Sequence, residues 1–207
     1  MYELDGSSFA SKDAYGHTCT VTGALWRPNG HYFDGADDRI AVAEGADSAL
    51  DLITAMTYEV WVKPGDGGDD YGRFLSKTDA SPYANRKVML GKEAADETNV
   101  RWEHPDLAGG GVLNSGAGAM VVDAWNHVVG TYGNSGQKFI YVNGASVASA
   151  AQAGTVASTA GGVLWIGSLF TTNQKFLGDI GEVRIYNRGL TPQEIQHNYL
   201  ATKWRYR

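Results

Sequence analysis

The chain has 207 residues, of which 27 are glycine, and it carries 23 acidic against 17 basic side chains, a formal net charge of −6. Hydrophobic residues make up 43%, enough for a real core, but no apolar run is long enough for a membrane-spanning helix, so we expect no membrane insertion. The single cysteine, Cys19, excludes an intrachain disulfide framework and a cysteine-rich zinc site. No basic and then apolar stretch opens the chain, so no secretory signal peptide is visible.

The charge is unevenly distributed along the chain. Residues 1–123 hold 20 acids and 10 bases, whereas residues 124–207 hold 3 acids and 7 bases. No basic stripe with interleaved aromatics occurs, so we expect no nucleic-acid partner. The acidic half could attract cations or simply form a solvated surface.

Alternation of apolar and polar residues, the period of a strand with one buried face, dominates the chain. The predicted strands cover residues 57–63, 72–77, 87–91, 126–132, 137–142, 163–167 and 182–186. Asn143-Gly144 favours the positive φ angles of a type I′ hairpin turn, and we expect an edge strand and loop over 145–160. With turn residues about every ten positions, the pattern predicts one all-β domain over residues 1–207.

One segment predicts a helix. Thr191-Pro192-Gln193-Glu194 combines an N-cap hydroxyl, a proline in the first turn and a glutamate three residues after the cap. The helix is expected over about 192–203. The tail that follows, residues 203–207, carries aromatic rings and three positive charges. It could form an oligomer or assembly contact, dock on its own domain, or be disordered.

Six stretches, in order, resemble laminin-G-like domains of the concanavalin A-like lectin/glucanase superfamily. The family patterns FDG-x-DD-x-I, T-x-E-x-W-V-K-P, W-x-H-V-x-x-T-Y and L-Y-V-N-G are similar to residues 31–40, 57–64, 125–132 and 139–144, and two later family stretches to 164–167 and 178–191. The resemblance implies a jelly-roll sandwich of two antiparallel sheets. It does not fix a function, because this scaffold hosts lectins, hydrolases, lyases and adhesion modules.

Catalysis is not expected. Glycosidases need two carboxylates that flank the scissile bond, and the resemblance implies a Glu-x-Asp-x-x-Glu strand for them. Asp179 and Glu182 match its second and third places, but the first is Leu177. For a lyase, His104 near Arg101 offers a base and a cation, a combination that chance also produces.

Two acidic loops, residues 34–38 and 66–70, are rich in the oxygen ligands that Ca²⁺ prefers. The resemblance implies a structural Ca²⁺ held by Asp34 and Asp179, although Gly181 stands where many relatives have a further aspartate. Hydrated surface acids are the alternative.

Glycan recognition uses an aromatic ring and a few polar groups that fix orientation. The segment 100–106 is the best local mixture of such residues, and Tyr71 follows an acidic pair. The predicted ligand-binding residues are Tyr71, Arg101, Trp102 and His104. Trp102 could equally be a core residue on a strand.

The sequence therefore favours a noncatalytic binding or adhesion domain, directed at glycans. The first alternative is a virion structural, decoration or receptor-contacting protein of a tailed phage, which would contact a cell-surface or capsid protein. The second is a glycan-cleaving hydrolase or lyase. The expected location is extracellular or virion-associated.

Overall fold

A computed structural model describes residues 8–10, 17–43, 49–78, 86–94, 96–105, 107, 111–133, 136–156, 162–171 and 173–207. Among them, sheet A contains, in spatial order, β1 (Ser8–Ala10), β2 (Thr18–Thr22), β5 (Arg39–Ala43), β14 (Val163–Ile166), β7 (Arg73–Thr78), β8 (Arg86–Glu93), β9 (Asp96–Glu103) and β10 (Val112–Asn114). Sheet B contains β13 (Ala145–Ala151), β12 (Gln137–Val142), β11 (Asn126–Gly133), β6 (Met56–Pro64), β15 (Leu177–Tyr186), β4 (Gly30–Asp34) and β3 (Leu25–Arg27). The helix α1 spans Pro192–Thr202.

This architecture confirms the predicted all-β sandwich with one short C-terminal helix. Neighbouring strands pair antiparallel in both sheets, and all seven strands predicted from alternation overlap observed ones. In the described part of the chain, no helix is long and apolar enough to cross a membrane.

The core lies between the sheets, and Trp102 of β9 is its largest fully buried side chain. The Trp102 ring packs against Gly130 of β11, where a Cβ atom would lie 2.6 Å from the ring. Its indole Nε1 donates to the carbonyl of Thr131 at 3.2 Å, and its ring lies 5.4 Å from that of Tyr58. One side chain of sheet A thus contacts two strands of sheet B.

The Asn143-Gly144 turn has the predicted geometry. Both residues have positive φ, 52° and 80°, which a type I′ turn requires. The turn joins β12 to β13, and β13 lies at the edge of sheet B. Residues 145–151 therefore form the expected edge strand, and residues 157–160 of the predicted loop lie outside the described residues.

Helix α1 packs on the outer face of sheet B. Thr191 and Glu194 form the predicted capping box, and Ile195 packs with Val129 and Tyr141 of the sheet. The reciprocal bonds of the box satisfy backbone N–H groups that would otherwise lack partners at the helix start.

Beneath the helix, the buried carboxylate of Glu59 holds sheet and helix together. It binds His127 at 3.0 Å, Asn198 at 2.8 Å and Arg184 at 3.4 Å. Burial alone raises the pKa of Glu59, but the hydrogen bonds from His127 and Asn198 and the charge of Arg184 outweigh it and hold the pKa below its usual value.

The C-terminal tail docks on its own domain through Tyr206. The Tyr206 ring stacks on Trp61 at 4.4 Å and packs on Trp125 at 4.8 Å. Its hydroxyl accepts a hydrogen bond from the backbone N–H of Glu182 at 2.8 Å. Trp204, two residues earlier, is 64% exposed, so the two rings of the tail have opposite environments.

We expect Tyr206→Ala to lower the free energy of unfolding by about 3 kcal/mol, because it removes a buried ring from an aromatic stack. Tyr206→Phe should cost about 1 kcal/mol, the hydroxyl's hydrogen bond alone. Chemical denaturation measures both. Trp204→Ala is the matched control and should change stability by less than about 0.5 kcal/mol; equal losses at positions 204 and 206 would contradict the docking.

Candidate functional site

The alternation of β9 separates the predicted ligand-binding residues. Successive strand side chains point to opposite faces, so Arg101 and Glu103 point away from the core while Trp102 points into it. The Arg101 guanidinium carbon lies 5.4 Å from the centre of the Tyr71 ring. The structure therefore brings Tyr71 and Arg101 together on the outer face of sheet A.

Around them lies a group of side chains that we call the arginine cluster: Tyr71, Arg73, Glu93, Arg101, Glu103 and Gln174. Arg101 donates to Glu93 at 2.5 Å and to Glu103 at 2.7 Å. Arg73 lies 5.7 Å from the Tyr71 ring and contacts Glu103 at 3.5 Å and Gln174 at 2.8 Å. Glu103 thus bridges both guanidinium groups.

The cluster has a buried floor and an accessible rim. The Arg73 side chain is 1% exposed, whereas those of Arg101 and Glu93 are 16% and 20% exposed. Burial alone lowers the pKa of Arg101, but the hydrogen bonds to Glu103 and Glu93 outweigh it and raise the pKa above its usual value. Arg101 is thus held as a fixed cation between two carboxylates.

Gly91 of β8 lies between the two arginines in the sheet, paired with Arg73 on one side and Arg101 on the other. A Cβ atom at Gly91 would lie 2.9 Å from both Cα and Cδ of Arg73. The Arg73 side chain therefore occupies the space above this glycine.

Three residues of this region have backbone strain. Tyr71, Ala94 and Gln174 have φ angles of 61°, 46° and 50°, a conformation that costs a non-glycine residue about 1 kcal/mol or more. The Tyr71 N–H donates to the Ala94 carbonyl, and the Arg73 N–H to the Gln174 carbonyl. These two hydrogen bonds connect the segments that carry the strained residues.

Trp102 and His104 do not reach this surface. Both side chains are fully buried, and the Trp102 ring is part of the core, the alternative that the sequence left open. His104 packs edge-on against Trp102 and Tyr132. Neither of its ring nitrogens has a hydrogen-bond partner among the described residues.

Lys138 of β12 is buried near His104. Its ammonium group donates to the carbonyls of Trp102, at 3.1 Å, and Gly111. Burial lowers the pKa of Lys138 to about 7. Burial and the nearby Lys138 charge hold the pKa of His104 well below its usual value.

The structure groups Asp34 with Asp37 and Asp38, whereas both carboxylate oxygens of Asp179 accept from Arg27. Carboxylate oxygens of the three loop acids lie within 4.8 Å of one another. Asp38 is buried and accepts from the Asp34 N–H at 2.9 Å, and burial raises the pKa of Asp38 above its usual value. The second acidic loop, residues 66–70, is exposed.

The positions of the glucanase pattern on β15 are occupied by two ion-paired carboxylates and one apolar side chain. Both oxygens of Asp179 accept from Arg27, at 2.9 and 3.1 Å. Glu182 binds Arg184 at 3.0 Å. Leu177 packs over glycines of the 66–70 loop.

A family model described as the concanavalin A-like lectin/glucanases superfamily, of laminin G type, matches residues 33–196. A search of curated proteins finds no significant match.

Several solved structures share the fold. Trypanosoma rangeli sialidase has a TM-score of 0.71 at 17% identity, over 99% of this chain and 32% of the sialidase. The botulinum neurotoxin serotype G binding domain has 0.70 at 12%, over 92% and 48%. The serotype D ligand binding domain in complex with N-acetylneuraminic acid has 0.67 at 14%, over 91% and 47%. The chain thus spans a third to a half of these proteins, and at such identities the likeness concerns the fold.

We expect the stability of the protein to rise as the pH is raised from about 7 to 9. In the folded chain the Lys138 pKa is about 7, whereas in the unfolded chain the amine stays protonated up to about pH 10.4. The unfolded state therefore binds more protons in this window, so raising the pH favours the folded state.

Lys138→Met should flatten this pH dependence, measured as the free energy of unfolding at pH 7, 8 and 9. The variant will be less stable at every pH, because two carbonyl groups lose their donor, so the slope is the deciding quantity. Lys203→Met, at an exposed lysine, should keep the wild-type slope. An unchanged slope in Lys138→Met would contradict the assignment.

Proposed function

The chain belongs to the concanavalin A-like lectin/glucanases superfamily, and on that premise we propose that it is a noncatalytic, glycan-directed binding domain whose site is the arginine cluster. The observation that carries the proposal is the partly accessible Tyr71 ring beside the Arg101–Glu93 pair. An aromatic ring can pack on the apolar face of a sugar, while charged groups hydrogen-bond to its hydroxyls.

The backbone strain supports the same surface. Tyr71, Ala94 and Gln174 are held in an unfavourable conformation, and the loops that carry them are bonded to one another. A site whose side chains are fixed before binding loses less conformational entropy when the ligand arrives. One of the similar structures, a domain in complex with N-acetylneuraminic acid, shows that a domain of this fold can carry a sugar site.

We propose that the domain does not cleave its ligand. The first position of the glucanase pattern on β15 is Leu177, which has no carboxylate. The acids at the other two positions, Asp179 and Glu182, are each bound to an arginine. Incubation with polysaccharides should release no reducing ends; release that is lost in Asp179→Asn or Glu182→Gln would support a hydrolase instead. The proposed location is extracellular or virion-associated, and a virion decoration protein that binds surface glycans is compatible with this function.

We also propose a structural Ca²⁺ in the 34–38 loop. The clustered oxygens of Asp34, Asp37 and Asp38 fit the preference of Ca²⁺ for several oxygen ligands. The family resemblance implies Asp179 as a second ligand. Both of its carboxylate oxygens accept hydrogen bonds from Arg27, so Asp179 could bind Ca²⁺ only by releasing Arg27 or by sharing its oxygens between Arg27 and the ion.

We expect millimolar Ca²⁺, compared with EDTA, to raise the melting temperature. A ligand at a hundred times its Kd adds about 2.7 kcal/mol, which is about 5 °C or more for a chain of this size. Asp34→Asn should abolish the shift, and equimolar Mg²⁺ is the control ion. Identical melting temperatures in Ca²⁺ and in EDTA would contradict the proposed Ca²⁺ site.

We expect Tyr71→Ala to weaken glycan binding by at least about tenfold, because the sugar loses its aromatic contact. The measurement is a printed glycan array, followed by calorimetry with the strongest glycan that the wild type retains. Tyr71→Phe keeps the ring and should keep most of the affinity. Trp204→Ala removes an exposed ring elsewhere and should change nothing; full affinity in a folded Tyr71→Ala protein would contradict the site.

A further inference from the structure

Resting on the proposed function, we infer that the arginine cluster selects neutral glycans and discriminates against acidic ones, although two arginines form its centre. Arginines usually predict a carboxylate or phosphate ligand. Here each guanidinium already binds a carboxylate of the same chain, Glu93 or Glu103. The two arginines and two glutamates leave the cluster with no net charge.

A ligand carboxylate would have to compete with Glu93 for Arg101. The Glu93–Arg101 contact is short, at 2.5 Å, and only partly exposed. Displacing Glu93 would leave its carboxylate facing the ligand's, and like charges that face each other across an interface cost several kcal/mol. The ligand carboxylate cannot take the place of Glu103 either, because Glu103 is buried and bound to both arginines.

The surroundings of the cluster are acidic as well. Asp69 and Asp70 precede Tyr71, and Asp96 and Glu97 follow Glu93 in the chain, against two neighbouring lysines, Lys92 and Lys175. The nearby Lys92 is bound to Glu97 at 2.6 Å, so its charge is compensated within the chain. A negatively charged glycan would therefore approach a surface of its own sign.

A sugar hydroxyl, by contrast, matches an arginine–glutamate pair. A hydroxyl both donates and accepts a hydrogen bond. Arg101 offers N–H donors and Glu93 offers acceptor oxygens next to them, so one hydroxyl, or two on adjacent carbons, can bond to both without breaking the ion pair. The Tyr71 ring beside Arg101 supplies the apolar contact.

The test is a glycan array printed with matched pairs, in which each neutral oligosaccharide stands beside the same oligosaccharide capped by N-acetylneuraminic or glucuronic acid. We expect the neutral member to bind and the capped member to bind about tenfold more weakly or not at all. Binding of the neutral member should change little between 50 and 500 mM NaCl, because no net charge is neutralised.

Glu93→Gln tests the cause. It keeps the shape and an acceptor for Arg101 but removes the negative charge, and it should raise the ratio of acidic to neutral binding by about tenfold. Glu97→Gln is the matched control: it removes the same charge close by, from a residue bound to Lys92 instead of Arg101, and should shift the ratio little. Equal shifts in the two variants would overturn the role of the Glu93–Arg101 pair.

The outcomes separate this inference from the function on which it rests. Salt-sensitive binding of the acidic members alone would overturn the selectivity and leave a glycan-binding domain. An array on which a folded protein retains no glycan would overturn both. Neutral binding that survives Tyr71→Ala would place the selective site elsewhere and overturn the assignment to the cluster.

Discussion

The contact between Trp102 and Gly130 is the constraint on which the rest of the structure depends. The indole of one sheet fits over the other only because β11 has no side chain at that point, and its N–H is satisfied by the neighbouring Thr131 carbonyl. Once this ring is fixed in the core, the alternation of side chains along β9 determines the direction of the residues next to it. Arg101 and Glu103 must lie on the outer face, where they form the centre of the cluster.

The cluster combines rigidity with electrical neutrality. Glu103 holds both arginines from below, and Gly91 leaves room for Arg73 to lie flat against the sheet. Two backbone hydrogen bonds connect the loops on either side: one joins the strained residues Tyr71 and Ala94, and the other joins Arg73 to the strained Gln174. A surface of this kind recognises a ligand by shape and by the pattern of its hydroxyls, since it has no excess charge to attract one over a distance.

Alternation predicted the strands in which apolar and polar residue types alternate, such as β6 and β12, although the structure buries both faces of β6. It did not predict β2 or β3, whose side chains are mostly half-buried or exposed, so neither has a clear buried face. It also did not predict that β9 is a strand, because Asp96 to Asn99 are all polar and only the second half of the strand reaches the core. Residue type alone placed Tyr71 and Arg101 among the candidates. The pairing of Gln174 with Arg73 joins positions that are far apart in the chain, and no local pattern indicates it.

The strained conformations around the cluster also bear on how the protein could evolve. At Tyr71, Ala94 and Gln174 the backbone has the positive φ angles that favour glycine, so each position retains a side chain at the expense of stability. A population selected only for heat resistance would be expected to acquire glycine or asparagine there. Such lineages would keep the β-sandwich but lose the binding surface, so these three positions would record whether selection has acted on binding or on stability.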